Sequence, residues 1–427
     1  MLHSVVYGGV AGRNSLVKRD YLTTFLAEAL VIASYLLTFR VIAQRFNQDG
    51  FGEYALSRRA ISLVAPIAVL ALDVAIARCV AYAIETGKGI DRSYVTAGLA
   101  LGAIGALVVS VLLLAFAPLA AGLLFGSAGY APLVQSFPLI LAGLVLHGIS
   151  YGNLRGRFAV QRANVLLILN QAVVPLAAVI FSPHSVARIL LLMGLGWVAI
   201  SAAFLPYNRL GVAGIVERAT ELARYGIPRV PGELLQLALF ALPGILVAHT
   251  AGIAAAGIVA FGVATIRMAG SALTPISFVL LPHASRLLAR GEAGELRRHV
   301  VTISRITVLV LLGGILMVEV FAEPILRVYL GPQFVTGAPI LRLITTAVLP
   351  WGLYVTLKSV IDARHFEAIN ARNTVVAFVV FVGLAFALSL PVPGVIGPLL
   401  AFCVSLYLLG ALTVVQAYRA GVPDPAL

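Results

Sequence analysis

Ala223-Arg224-Tyr225-Gly226-Ile227-Pro228 opens a stretch that runs to Glu292 through two apolar runs parted by His249-Thr250-Ala251-Gly252, then leaves by the basic Pro282-His283-Ala284-Ser285-Arg286. Two long apolar runs joined by four residues predict a helical hairpin that crosses a membrane twice. Near the middle of the second arm stands Arg267. Gly270, Ser271, Thr274 and Ser277 follow it at spacings that keep them near one helical face, with Ile266, Leu273, Ile276 and Leu280 on the other. A charge in hydrocarbon costs at least about 2.5 kcal/mol even on the most lenient scale. Arg267 is therefore expected to face protein or water and to mark a polar pathway.

The rest of the chain has the same character. Its 427 residues are 61% hydrophobic and 11% charged, with a mean hydropathy of +1.02, too apolar for one soluble core. About twelve runs have the length of a span, roughly 20 residues. They lie near 21–42, 56–78, 94–117, 132–151, 164–182, 187–207, 228–249, 253–281, 302–322, 338–358, 373–390 and 395–418. The first follows Arg13, Lys18 and Arg19 and is too long for a signal peptide, so it counts as a span. The charged segment 208–224, with Arg209, Glu217, Arg218, Glu221 and Arg224, separates an N-terminal lobe, 1–207, from a C-terminal lobe, 225–427. The expected fold is thus an all-α membrane protein with two parallel six-helix lobes around a central cavity. A second basic segment, Arg286 to Arg305, carries Leu287, Leu288, Leu296 and Val300 beside Arg290, Arg297 and Arg298, which predicts an amphipathic helix lying on the anionic leaflet.

A net charge of +13 would point to nucleic acid in a soluble protein, but its distribution points elsewhere. With the N-terminus inside, 22 of the 30 Lys and Arg fall in cytoplasmic segments and 6 in external ones, leaving Arg40 and Arg267 within spans. That is the positive-inside bias of a cytoplasmic (inner) membrane protein with both termini cytoplasmic, and no nucleic-acid partner is needed. Cys79 and Cys403 lie in or beside spans with no pairing motif, so neither a disulfide nor a metal site is expected.

The halves echo each other at an offset of about 205 residues. Phe116-Ala117-Pro118 leads to Gly126 as Phe321-Ala322-Glu323-Pro324 leads to Gly331, and Arg92-Ser93-Tyr94-Val95-Thr96 answers Arg298-His299-Val300-Val301-Thr302. Two matches in order at nearly one offset favour duplication of a six-helix unit. An even number of spans preserves orientation, so the repeat is parallel. Gly98 and Gly102, four residues apart, are expected to let helices approach closely. Pro66, Pro175, Pro243 and Pro275 interrupt spans as kinks or hinges.

Charge within the spans concentrates on the first, second, seventh and eighth. Glu28 and Arg40 lie on the first, Asp73 on the second, Glu233 on the seventh and Arg267 on the eighth. Thr24, Glu28, Tyr35 and Thr38 make one stripe, and Arg59, Ser62, Pro66 and Asp73 another. Arg40 and Glu233 lie within a turn or two of span ends, where a long side chain can simply snorkel. Asp73 and Arg78 sit toward the inner end of the second span, where a structural role fits better than a functional one. Glu28 is about 10 Å into its span by helical rise and better suits an ion pair or a proton site. Together with Ser271 and Thr274 on the face of Arg267, these polar residues are the candidate lining of one chamber. Enzyme signatures are missing: Thr86-Gly87-Lys88 lacks the upstream glycine of a phosphate loop, and no His-Glu-x-x-His occurs. Transport without a cofactor fits better than catalysis.

Several segments resemble the multidrug/oligosaccharidyl-lipid/polysaccharide exporter superfamily, and within it the Wzx-type polysaccharide flippases. They are Ala43-Gln44-Arg45-Phe46 leading to Gly52-Glu53-Tyr54, Arg224-Tyr225-Gly226-Ile227-Pro228, Leu281-Pro282 leading to Ser285-Arg286-Leu287, and Ile325-Leu326 through Leu330-Gly331-Pro332-Gln333-Phe334. The resemblance covers essentially the whole chain, although each motif is short. It implies a flippase that carries a polyprenyl-diphosphate-linked oligosaccharide across the bacterial inner membrane by alternating access, with polysaccharide-assembly proteins as further partners. The family's basic cavity residues are thought to hold the diphosphate, which would assign that role to Arg267 with Arg59 or Arg40 assisting. The acidic residue often seen late in the seventh helix is replaced by Leu242-Pro243, so cation coupling does not transfer with the resemblance. A drug/cation antiporter of the superfamily would favour acidic and aromatic cavity residues over a deep arginine, and a peptidoglycan-precursor flippase would usually carry two further helices. A membrane-embedded polymerase or ligase would carry a large external catalytic loop.

A cysteine introduced into the 208–224 linker is expected to be protected from membrane-impermeant thiol reagents in intact cells and to react once the cells are opened. Labelling from outside would reverse the topology.

Overall fold

Every apolar run is helical in the computed structural model, which describes residues 10–86, 92–182, 185–205, 210–365 and 367–420. The expected placement of both chain termini, and of Asn208 and Arg209 in the linker, falls outside the described residues. No strand occurs among the described residues, as hydrocarbon requires: an open sheet edge would leave N–H and C=O groups without partners there.

In chain order, α1 (Val10–Arg45), α2 (Gln48–Val69), α3 (Leu72–Glu85) and α4 (Ser93–Ala115) are followed by the short α5 (Ala117–Phe125) and α6 (Ala131–Gln135). Next come α7 (Phe137–Gly156), α8 (Val160–Ile168), a π-helical turn at Leu169–Val173, α9 (Val174–Phe181), α10 (Val186–Ala203) and the linker helix α11 (Ile215–Gly226). The chain continues with α12 (Val230–Ala289), α13 (Ala293–Tyr329), α14 (Ala338–Thr345), α15 (Val348–Arg364), α16 (Ile369–Leu388) and α17 (Ile396–Ala420). Ten of these helices, alone or run together across short joints, are long and apolar enough to span, and α2 with α3 makes an eleventh. Gly252, at φ 85° and ψ 172°, divides α12 into the two arms of the expected hairpin, so counting the arms separately brings eleven to twelve. A side chain with a Cβ would be strained at that φ, which is why glycine marks the bend.

The chain forms two compact units. The first comprises Met1–Arg45, Val64–Ala121 and Ala128–Pro231, and the second Phe46–Leu63, Gly122–Ser127 and Gly232–Leu427. In the first, α7 is the hub, packed against α3, α4 and α10. Gly98 and Gly102 make close approach possible, as their spacing predicts. A Cβ on Gly98 would stand 2.7 Å from Ile76, and one on Gly102 would stand 2.4 Å from Val145. In the second unit, α15 and α17 pack on each other and on α13, and the second arm of α12 is almost wholly buried from Ala256 to Ala264.

The internal repeat appears in the burial pattern. On α4, Ile104, Leu107, Val111 and Leu112 are exposed, and on α13 so are Leu309, Leu312, Leu316 and Met317, each pair 205 residues apart. Ala117 and Ala322 are buried at the same offset, and Gly126 and Gly331 both take positive φ, at 82° and 125°. Apolar side chains that are exposed along a span present the surface that lipid covers.

Two expectations are corrected. The stripe of Arg59, Ser62, Pro66 and Asp73 does not lie on one helix. Leu70 and Ala71 take left-handed conformations, φ 55° and 52°, and α3 leaves α2 at 42°, so Asp73 starts a new helix. Pro66, which has no N–H to donate, already weakens the end of α2. Nor is Arg286 to Arg305 one helix on the leaflet, for α12 ends at Ala289, Gly291 turns the chain at φ 72°, and α13 begins at Ala293. Leu287, Leu296 and Val300 pack instead with Leu357, Val360, Ile361, Ile369 and Ala417. The 37 residues of α13 span about 55 Å against a hydrocarbon core of about 30 Å, so the helix must run beyond the membrane, where its apolar stripe needs protein to cover it.

Gly152 of α7 faces α3 so closely that a Cβ there would stand 2.4 Å from the Asp73 carbonyl oxygen, whereas one at Gly122 would meet nothing within 4 Å. Gly152→Val is expected to destabilise the detergent-solubilised protein by about 1–3 kcal/mol, read as a lowered Tm, while Gly122→Ala leaves Tm unchanged or slightly raised.

Candidate functional site

Each unit brings together its own set of polar side chains. In the first, Glu28 on α1 and Asp73 on α3 both lie within electrostatic reach of Arg155, near the end of α7. The Arg155 guanidinium carbon stands 5.5 Å over the ring of Tyr151, one turn earlier, and His147, a further turn back, stacks on that ring at 5.4 Å and 14°. Residues 147, 151 and 155 are four apart and so share one face of α7. The Asn170 amide donates to His147 Nδ1 at 2.9 Å and to Ser201 Oγ at 2.8 Å, and Trp197 Nε1 donates to the Asn170 carbonyl oxygen. Asn170 belongs to the π-helical turn, a local widening that proteins place most often at functional positions.

Other polar contacts in this unit fasten helices together. Asn164 Nδ2 donates to Thr24 Oγ1 at 3.2 Å, linking α8 to α1, and Arg45 Nη1 donates to the Val179 carbonyl at 2.9 Å. Glu28 is exposed, whereas Arg40 and Asp73 are half-buried. Neither His147, Tyr151 nor Arg155 is among the residues expected from sequence. Their four-residue spacing was visible in the chain, but their chemistry depends on Glu28 and Asp73 arriving from two other helices.

The second unit gathers cations and aromatic rings. Arg267 is half-buried on the second arm of α12, its guanidinium carbon 5.9 Å from the ring of Phe240 on the first arm. A cation over an aromatic face gains about 0.5–2 kcal/mol, which offsets part of the cost of holding it within a span. Phe240 meets Trp351 edge to face at 4.6 Å and Phe402 at 5.6 Å, and Trp351 stacks on Tyr354 at 5.1 Å. Lys358 Nζ lies 5.8 Å from the Tyr354 ring. Arg59, only 7% exposed, donates from Nη2 to the Ala260 carbonyl at 3.4 Å, two turns before Arg267 on the same arm.

Arg59, which comes from α2, and Arg267 therefore meet on the same arm of α12. Ser271 is exposed, Thr274 is half-buried and donates to the Gly270 carbonyl at 3.1 Å, and Ser277 is buried. Glu233 is exposed at the start of the first arm, about 10 Å by helical rise from Phe240. Glu28, Arg40 and Asp73 belong to the first unit and Arg59, Glu233, Arg267, Ser271 and Thr274 to the second. Among the described residues, no three His, Cys, Asp or Glu side chains are grouped as metal ligands.

A family model described as polysaccharide biosynthesis protein matches residues 90–339, more than half of the chain. The chain belongs to that family. Comparison with curated proteins by sequence returned no match. Among solved structures, the chain is similar to the lipid II flippase MurJ in an inward closed conformation, with a TM-score of 0.73 and 13% identity over 94% of this chain and 86% of that one. It is similar as well to an inward-facing multidrug resistance MATE transporter of the MOP superfamily, with a TM-score of 0.69 and 13% identity over 93% and 97% of the two chains. The Vibrio cholerae MATE transporter VcmN in its bent form matches at a TM-score of 0.60 and 18% identity over 96% and 97%. Identities this low establish the shared fold: this polysaccharide biosynthesis protein is a multi-pass membrane protein with the helical architecture of MATE and MurJ transporters.

Ser271 is exposed on the face that follows Arg267, whereas Ile266 is fully buried. Ser271→Cys is expected to react with small hydrophilic thiol reagents in membranes and Ile266→Cys to be inert. The reverse order would mean that the arm presents its apolar side to water.

Proposed function

We propose that this protein is a flippase that moves a polyprenyl-diphosphate-linked oligosaccharide from the inner to the outer face of the bacterial cytoplasmic membrane for cell-surface polysaccharide assembly. Residues 1–207 and 225–427 act as the two lobes of an alternating-access carrier, joined by the cytoplasmic linker 208–224. The observation that carries the reading is Arg267, a permanently charged group in mid-span beside the Phe240 ring, on the arm that also receives Arg59. A fixed cation at that depth suits an anionic head group. It is the wrong sign for a carrier of cationic drugs.

Guanidinium and diphosphate are matched in geometry as well as charge, since two parallel N–H groups can meet two phosphate oxygens. Ser271 and Thr274 add hydroxyl partners for the same head group, while the polyprenyl tail stays in lipid. Glu28 with Asp73 supplies negative charge for a coupling ion or proton. An inside-negative potential assists outward passage of an anion by about 2.3 kcal/mol per charge carried through 100 mV. Family membership supports the polysaccharide context, and the likeness to a lipid II flippase supports a lipid-linked cargo.

Transport of a defined lipid-linked oligosaccharide in sealed vesicles tests the reading. Arg267→Lys, which keeps the charge and loses the planar fork, is expected to retain part of the rate, and Arg267→Ala to lose most of it at normal membrane expression. Near-normal transport by the alanine variant would end the assignment of the diphosphate to this residue.

A further inference from the structure

Lys358 does not behave as a lysine at a span end usually does. Such a side chain extends outward to water. The polar end of α15 is its C-terminal one, where Asp362 and Arg364 complete the last turns. Helical Cα–Cβ bonds lean toward the N-terminus, which here is the direction of the membrane interior. Lys358 follows that lean: its ammonium lies 5.8 Å from the ring centroid of Tyr354, one turn deeper, and the residue is half-buried.

The nearest obvious counter-ion is engaged elsewhere. Asp362 is spaced i, i+4 from Lys358, the separation for a helical ion pair, but its Oδ1 accepts from Asn370 Nδ2 at 2.7 Å. The same amide donates to the Lys358 carbonyl at 2.9 Å, so Asn370 holds this turn of α15 in place. Among the described residues no carboxylate pairs with Lys358.

From Tyr354 the column of rings continues through Trp351 to Phe240, and Arg267 stands over the last of them. Two cations thus stand at the two ends of one aromatic column within a single unit, Lys358 about 10 Å nearer the polar end than Trp351 by helical rise. Trp351 is 6% exposed and its indole Nε1 has no hydrogen-bond partner among the described residues; it is directed at the α12 backbone, where a Cβ on Gly270 would stand 2.2 Å away. Tyr354, Trp351 and Phe240 are all buried, so close packing holds the rings of the column in place.

We propose that Lys358 is a second phosphate-holding residue, which captures the diphosphate of the lipid-linked substrate at the polar end of the column before Arg267 takes it in mid-span. This rests on the flippase reading above. An ammonium is a compact point charge that accepts phosphate from many directions, as capture requires, whereas the guanidinium fork suits a defined pose.

The test uses the full chain in proteoliposomes, with initial rates measured against the concentration of a polyprenyl-diphosphate oligosaccharide, in phosphatidylethanolamine vesicles with and without phosphatidylglycerol. Lys358→Gln is expected to raise KM about tenfold, the scale of one charged hydrogen bond, with the maximal rate within about twofold, and Lys358→Arg, which keeps the charge, to recover part of that rise. An unchanged KM in Lys358→Gln beside an impaired Arg267→Ala would overturn this proposal alone. A KM effect seen only with phosphatidylglycerol present would assign Lys358 to phospholipid head groups and overturn it equally. Normal transport by Arg267→Ala would instead remove the flippase site on which it rests.

Discussion

No water is available in hydrocarbon, so every backbone amide and every charge placed there must find its partner inside the protein. The helical architecture answers the first half of that demand, and the two polar sets answer the second. Arg267 meets the Phe240 ring, Arg59 meets the Ala260 carbonyl, and Arg155 lies within reach of Glu28 and Asp73. The Arg267 contact joins the two arms of α12, and the other two join helices distant in sequence. Arg59 and Arg155 therefore fasten helices together, whatever else they do.

Close packing supplies what those fasteners hold. Lipid tails are as apolar as leucine, so helices gain nothing from hiding hydrophobic surface from each other and must rely on contact and small residues. Gly98, Gly102 and Gly152 admit neighbouring helices to distances at which a methyl group would collide. The same need explains the fully buried Ala256, Gly257, Ala260, Gly262 and Ala264 on α12, whose slender surface brings the arm carrying Arg267 close to its neighbours.

Much of this was legible in the chain because periodicity and punctuation are local properties. The hairpin arms, the bend at Gly252 and the glycine pair on α4 all declare themselves within about 20 residues. The break at Leu70 and Ala71 did not, since neither residue type favours a positive φ and Pro66 announces only a weakness nearby. Leu287, Leu296 and Val300 gave a misleading signal, as an amphipathic stripe reads the same whether lipid or α15 covers it. Arg155 and Lys358 were missed for a third reason. Each sits near a span end, where basic residues are common, and only the partners brought by other helices set them apart.

The repeat offers a way to separate charges that the fold needs from those that it does not. The joint between α1 and α2 near Asn47 and the bend at Gly252 stand 205 residues apart, so the first two helices register with the arms of α12 at that offset. Glu28 then answers Glu233, an acidic residue at matching points of both halves, whereas Arg267 answers Ser62. Ser62 simply donates to the Arg59 carbonyl at 2.7 Å, a contact local to its own helix. At matching points of the two halves, one helix thus carries a hydroxyl and the other a guanidinium. The matching position is filled without a charge in the first half, which supports reading the Arg267 cation as part of the proposed transport site rather than of the packing common to both halves.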